Sequence, residues 1–263
     1  MTTNGTLVDK KLAKQLVKAG LRVVNISIDA PEHKTHDGIR GVEGSWKKTV
    51  RALEYFRRYS KKGRPIIRVN TVVSELNYRT LTGMPDFVHR HGADQLNLIA
   101  VDGFACEGLN LSKGHIQEFN SEVAPAIARR SLQLGLMGTP DQAYPFGQTP
   151  AQVKLARKGL YAFGWYQHNP CFVPWFHSLI DYNGLVYICC MTRERTPPLG
   201  DLKKSSFREV WQGEEYGQTR RKAQPLLPPY CARCDNFLLE NRTLLEMMRE
   251  QGLPAGDDQA NAD

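Results

Sequence analysis

Three short runs rich in β-branched residues, 21–28 (LRVVNISI), 65–73 (PIIRVNTVV) and 95–101 (QLNLIAV), are separated by stretches of helical spacing. Leu12, Leu16 and Val17 recur on one helical face over 7–19, and Gly20 follows as a stop signal. Val50, Leu53 and Phe56 do the same over 45–59, and 78–91 reads as a third helix. Strands alternating with helices across short turns predict βα units and a parallel sheet, hence an α/β fold. Ligands of such sheets bind at the C-terminal ends of the strands. The residues that follow the strands, 27–29, 74–77 and 102–103, are therefore the first places to look for a site.

The pattern loosens further along. Residues 113–135 predict a longer helix with an irregularity at Pro125. Residues 137–150 are rich in Gly, Pro and Gln and read as a linker, and 151–161 return to helical spacing. After Pro170 the style changes. Asn183-Gly184 between 178–181 and 185–189 predicts a hairpin, because Asn-Gly adopts the tight turn that joins twisted strands. Residues 206–211 and 238–249 look helical, and 255–263 form a small polar tail. The domains expected are 1–136, a linker and helix over 137–169, a cysteine-rich domain over 170–237, and a terminal helix with tail over 238–263.

No run approaches ~18 uninterrupted apolar residues, and the first ten lack an apolar signal core, so a cytoplasmic protein with no membrane partner is expected. The net charge is +8, from 35 basic and 27 acidic residues, but the basic residues are dispersed. They form no aromatic-interleaved stripe of the kind that stacks bases, which argues against nucleic acid as a partner.

Six cysteines stand at 106, 171, 189, 190, 231 and 234. They are too few and too clustered for a secreted disulfide scaffold. Cys106, alone, reads as a buried thiol. Cys231-x-x-Cys234 can put two thiolates on one centre from a tight turn, and a hairpin ending at Cys189-Cys190 can add another. Neighbouring strand residues point to opposite faces, so one of that pair is expected to join, with Cys189 favoured. Cys171, Cys189, Cys231 and Cys234 suit either a four-iron cluster or a structural zinc.

Taken in order, these residues resemble a known superfamily. Thr3-Asn4-Gly5, then Asn25-Ile26-Ser27-Ile28-Asp29, His36-Asp37-x-x-Arg40 and Asn70-Thr71-Val72-Val73 with Asn77 resemble the middle of a radical S-adenosylmethionine (SAM) domain. Cys171-x-x-Pro174-Trp175, Asp181-x-x-Gly184, Cys189, Leu199-Gly200-Asp201, Ser206-Phe207-x-x-Val210-Trp211, Tyr216, Arg220 and Cys231-x-x-Cys234 resemble its SPASM extension. The resemblance implies a partial (β/α) barrel followed by a small SPASM domain with one auxiliary 4Fe-4S cluster. It implies that Ser27 and Arg40 hold the carboxylate or nearby polar groups of SAM; an arginine is a natural bidentate partner for a carboxylate. Their bland alternatives are a strand-end hydroxyl bonded to backbone and an ion pair of Arg40 with Asp37 or Glu43. Asp29 and His36 read equally well as turn caps, and Asn77 as a loop or helix cap.

The sequence also departs from that family. The Cys-x-x-x-Cys-x-x-Cys loop, whose cluster cleaves SAM to a 5′-deoxyadenosyl radical in intact relatives, is absent, as is the glycine-rich segment after the second strand. The chain opens at the expected third strand, so the barrel is expected to lack its first strands and the chain to be inactive alone. No catalytic residue is assigned. An intact relative would act on a peptide or small molecule with an electron donor; 102–110 and 144–148 are candidate pocket segments. The alternative is a non-catalytic cluster-binding or zinc-stabilised module that works with a partner.

Overall fold

A computed structural model of the chain describes residues 1–101, 108–193, 195–222, 228–234 and 237–253. Contacts divide it into two units, Met1–Arg157 and Lys158–Asp263. The first is built on four parallel strands in sequence order, β1 (Thr2–Thr3), β2 (Val23–Ser27), β3 (Ile66–Val73) and β4 (Gln95–Ala100). Its helices are α1 (Lys10–Lys18), α2 (His33–Arg40), α3 (Ser45–Tyr59), α4 (Met84–Arg90), α5 (Lys113–Glu118), α6 (Ala124–Gln133) and α7 (Pro150–Ala156).

One face of the sheet is apolar. Val24 and Ile26 of β2, Ile67, Val69 and Val73 of β3, and Leu96 and Leu98 of β4 are buried. Val50, Leu53 and Phe56 of α3 are buried too, as their spacing predicts. Between β1 and α1, the Thr-Asn-Gly turn docks onto α3: Thr49 Oγ1 donates to the Asn4 carbonyl at 2.6 Å. Gly5 has φ +77°, and a Cβ there would meet Thr49 Cα at 3.1 Å, so backbone angle and space both call for glycine.

Proline punctuates the helices. The helix predicted over 78–91 splits into a 3-10 turn, Tyr78–Gly83, and α4, which carries Pro85 at its start. The helix predicted over 113–135 is interrupted by a π turn, Phe119–Val123, just before Pro125, whose ring nitrogen cannot donate to the ladder. The stretch read as a linker is packed into the first unit. It holds a 3-10 turn at Pro140–Ala143, and Phe146 is buried edge-on against Phe119 with ring centroids 5.9 Å apart.

The second unit carries three short antiparallel strands, β5 (Leu179–Ile180), β6 (Leu185–Tyr187) and β7 (Gly200–Asp201). Around them lie α8 (Trp165–His168), α9 (Val173–Phe176), α10 (Phe207–Gln212), α11 (Glu214–Lys222) and α12 (Leu238–Glu250). The Asn-Gly hairpin forms as predicted. Asp181 Oδ1 accepts from the backbone N–H groups of Asn183 and Leu185 at 2.8 and 3.0 Å, and Gly184 takes φ +87°. Val173, Val186, Ile188, Val210 and Tyr216 form the core, with Cys171 and Cys189 against it. Among the described residues no helix is long and apolar enough to cross a membrane. Residues 102–107, with Cys106, and the tail from 254 lie outside the described residues.

Candidate cofactor and cluster sites

The first candidate site lies where β2 and β3 end. Ser27, the last residue of β2, stands beside Asn70 in register and is half-buried. Among the described residues its hydroxyl makes no hydrogen bond. Two residues on, Asp29 is buried at 1% exposure, and Arg40 at the end of α2 meets it with Nε 2.6 Å from Oδ2. Arg40 thus pairs with Asp29 rather than with Asp37 or Glu43. Asp37 is occupied elsewhere: its carboxylate accepts from the backbone of Gly44 and Trp46 and from the Ser45 hydroxyl, fastening the start of α3. Those bonds, led by Trp46, hold its carboxyl below the usual carboxylate range.

His36 is buried, and its Nδ1 accepts the Asp29 backbone N–H at 3.1 Å. Burial lowers its pKa, against an opposing pull from Asp29. Asn77, one of the strand-exit residues, is a clamp. Its Nδ2 donates to the carbonyls of Asp29 and Val72 at 2.7 and 2.8 Å, and its Oδ1 accepts the Ser74 N–H at 2.8 Å. The strand ends are therefore rigid and polar, with a half-buried hydroxyl and an exposed arginine whose guanidinium is oriented by a buried carboxylate. Of the two candidate pocket segments, 102–107 lies outside the described residues, and Phe146 and Gly147 are buried.

The second candidate site is in the other unit. Cys171 precedes α9, Cys189 follows β6, and Cys231 and Cys234 bracket the end of a 3-10 turn, Pro229–Arg233, where the Cys234 N–H reaches the Cys231 carbonyl at 3.0 Å. All four are half-buried and Cys190 is exposed. The thiols sense one another. Burial pushes Cys171 up to about 11 and Cys231 up to about 12; Cys189 adds to the rise at both, and Cys171 to that at Cys231. Tyr166, raised mainly by burial, feels Cys234 and Cys171. Thr192 fixes the Cys189 backbone, accepting its N–H at 3.1 Å and donating to its carbonyl at 2.8 Å.

Four partly buried thiols, two of them raised by burial, fit a metal centre, because the metal supplies the positive charge that thiolates need. Among the described residues no three His, Cys, Asp or Glu side chains surround one point as a single ion requires. A tetrahedral zinc would need sulfurs about 3.8 Å apart, given Zn–S distances near 2.3 Å. A four-iron cluster spreads its ligands more widely.

The comparisons with known proteins identify the family. Residues 1–83 match the family model of the radical SAM superfamily, and residues 171–235 match SPASM, described as an iron-sulfur cluster-binding domain. Together they take in more than half of the chain. The chain is a radical SAM superfamily protein with a SPASM domain. The cofactors of those domains are 4Fe-4S clusters and SAM.

Among curated relatives, an AdoMet-dependent heme synthase of Methanosarcina barkeri (strain Fusaro / DSM 804) is 32% identical over 93 residues, 35% of this chain and 26% of that protein. A GTP 3',8-cyclase of Microcystis aeruginosa (strain NIES-843 / IAM M-2473) is 40% identical over 75 residues, 28% of this chain and 22% of that one. Among solved structures, native anSMEcpe with bound AdoMet and Kp18Cys peptide matches with a TM-score of 0.53 at 16% identity, over 90% of this chain and 63% of that one. Streptococcus suis SuiB bound to precursor peptide SuiA matches at 0.50 and 17%, over 98% and 57%. These likenesses give the fold, a partial α/β barrel. The match covers about a quarter of the curated relatives' length and less than two thirds of the structural neighbours.

Proposed function

We propose that this radical SAM/SPASM chain holds SAM at the ends of β2 and β3 and one auxiliary 4Fe-4S cluster on Cys171, Cys189, Cys231 and Cys234, in a protein that modifies a peptide. The observation that carries the reading is the electrostatic influence of Cys189 on Cys171 and of both on Cys231, with Cys234 and Cys171 both acting on Tyr166, among four half-buried thiols drawn from three separate segments. Among the described residues no three candidate ligands gather round a single ion, which favours a cluster over zinc.

In this reading Ser27 and Arg40 bind the polar end of SAM. Asp29 engages the Arg40 Nε, which leaves the terminal nitrogens to meet a carboxylate. Asn77 and His36 hold the loop that carries Asp29. On the cluster side, Thr192 and the Asn241 side chain fix the backbone around Cys189 and Cys171. Reductive cleavage of SAM is chemistry that a cluster on a Cys-x-x-x-Cys-x-x-Cys loop supplies, with an external electron donor. That spacing is absent from this sequence, so the residues here bind and orient and the chain alone does not cleave SAM. The same absence favours, as a second reading, a non-catalytic cluster module that works with a partner. The peptide substrate is supported by the two structural neighbours, which were solved with peptides. Among the described residues no cysteine forms a disulfide, which suits a reducing, cytoplasmic setting.

The test is anaerobic reconstitution followed by iron, sulfide and zinc analysis. About four irons and four sulfides per chain are expected, lost in the double variant Cys231→Ala, Cys234→Ala and kept in Cys190→Ala. One zinc without sulfide overturns the cluster. Isothermal titration of SAM into the wild type and Arg40→Ala tests the other half: equal affinities remove Arg40 from the site.

A further inference from the structure

At the N-terminal ends of β2 and β3, a strand's length from the proposed SAM site, the first unit holds a cavity of about 680 Å³. Val17, Leu21 and Tyr59 line it, all half-buried. The charged groups around them are of one sign. Lys14 and Lys18 come from α1, Arg22 precedes β2, and Lys61 and Arg64 come from the turn between α3 and β3. All five are exposed, and no acidic residue lines the cavity. Among the described residues none of the five forms an ion pair.

The backbone holds these cations together against their repulsion. Lys14 and Lys18 are four apart on one helix, so they share a face, and like charges at that spacing destabilise a helix. Lys61 and Arg64 stand directly opposite each other: each N–H donates to the other's carbonyl, at 2.9 and 3.0 Å. Lys62 and Gly63 between them take φ +50° and +70°, the left-handed pair that closes a two-residue turn. Like charges in such opposed positions are unfavourable as well. Helix dipoles account for Lys18 and at most for Lys61, which stand at the C-terminal ends of α1 and α3. They give no reason for Lys14, Arg22 and Arg64. Cations gathered from three elements around an apolar floor carry a repulsion that a multivalent anion would convert into attraction.

We propose that this cavity binds an organic polyphosphate of the nucleoside triphosphate class. The phosphates meet Arg22, Lys61 and Arg64, with Lys14 and Lys18 completing the positive field, and the ring lies on Val17, Leu21 and Tyr59. The volume falls within the ~300–1,000 Å³ of small-molecule sites. A triphosphate concentrates its charge in a short length, as this cluster of cations does, and Lys and Arg are the side chains that hold phosphate. The inference stands apart from the readings of the SAM and cluster sites. Its ligand would fasten α1, the start of β2 and the end of α3 to one another, at the end of the sheet away from the proposed SAM site.

Isothermal titration of the full chain tests it, with adenosine triphosphate and inorganic tripolyphosphate as probes, each in the presence of excess SAM so that the adenine ring cannot report on the SAM site. One equivalent of the nucleotide is expected to bind, with an affinity that falls as salt rises. Tripolyphosphate should bind about tenfold more weakly, because it leaves the apolar floor uncovered. The double variant Lys61→Gln, Arg64→Gln should lose at least about tenfold in nucleotide affinity. Arg51→Gln, which removes an exposed α3 cation outside the cavity, should lose none. Tyr59→Ala should bring the nucleotide down to the level of tripolyphosphate. Without ligand, the double variant should unfold in urea at a midpoint no lower than the wild type, since it relieves a like-charge pair. No binding of the nucleotide in excess SAM, equal affinity for the two probes, an affinity unchanged in the double variant, or a clear fall in its urea midpoint would each overturn the proposal. Retention on phosphatidylserine vesicles without nucleotide binding would also overturn it, and would assign the cations to a membrane surface. Should Tyr59→Ala fail to fold, the double variant and the comparison of probes on the wild type still decide.

Discussion

Asn241 Oδ1 accepts the backbone N–H of Phe172 at 2.6 Å, so α12 is fastened to the residue that follows the first cysteine of the proposed cluster site. The same side chain donates to Tyr166 Oη at 3.0 Å and to the Phe237 carbonyl at 2.8 Å, and it is fully buried. One amide thereby fixes α8, the Cys171 segment and the start of α12.

Asn241→Ala takes a partner from two buried groups at once, the Phe172 N–H and the Tyr166 hydroxyl. A loss of about 2–3 kcal/mol is expected, since each abandoned buried polar group costs on the order of 1 kcal/mol or more. Chemical denaturation measures it. Iron retention after reconstitution should fall in parallel, and a variant with wild-type stability and iron content would deny Asn241 this role.

Arg220 makes a related fastening by other means. Its Nε donates to the Pro174 carbonyl at 3.0 Å and Nη1 to the Trp211 carbonyl at 3.1 Å, while the guanidinium lies over the rings of Trp211 and Tyr216 at 4.5 and 4.6 Å. Arg220→Lys keeps the charge and loses the planar fork. The expected cost is about 1–2 kcal/mol, with near-ultraviolet circular dichroism of Trp211 altered.

His36 gives the first unit a pH dependence. Burial lowers its pKa in the folded chain, so the unfolded chain binds the proton more readily. The stability held by neutral His36 is complete above the unfolded value near 6.5 and is lost as pH falls below it. The thermal midpoint should therefore drop between pH 7 and 5. His36→Asn, which can still accept the Asp29 N–H, should flatten that slope, and an unchanged slope would exclude His36 as its source.

Gly5 tests the docking of the Thr-Asn-Gly turn. Gly5→Ala meets both a left-handed backbone angle and contacts at 3.1–3.2 Å with Thr49 and Ala52. A destabilisation of about 1–3 kcal/mol is expected, read as a lower denaturation midpoint in urea.

Much of this architecture was legible in the residues. The strands declared themselves because buried parallel strands read as β-branched runs, and α3 because Val50, Leu53 and Phe56 keep one face. By contrast α2 (HKTHDGIR) has a single large aliphatic residue, Ile39, and so no apolar period. It is held by what its polar side chains reach, Asp29 and the start of α3, and those partners lie at distances that sequence spacing does not reveal. Arg40 shows the limit plainly: Asp37 and Glu43 are its near neighbours in sequence, whereas its partner Asp29 is brought in by the β2 exit. The four-residue helices α8 and α9 are shorter than any window over which a period can be read. A polar row across the sheet was hidden in alternation, since Asn25, Arg68 and Gln95 align only once the strand register is known. The cysteines were legible as a set because their spacing is a pattern, though the roles of Asn241 and Thr192 beside them were not.

The cysteines' origin in three segments also bears on the order in which the second unit assembles. Cys231 and Cys234 share one tight turn and are neighbours even in a loose chain. Bringing Cys189 and then Cys171 to them closes long loops, each at an entropic penalty that grows only slowly with length. Iron captured at the turn would therefore act as a nucleus that recruits the remainder. On the proposed ligand set, maturation and folding of this unit would become a single event, and starving the chain of iron should leave β5, β6 and β7 exposed to proteolysis while the parallel sheet of the first unit stays intact.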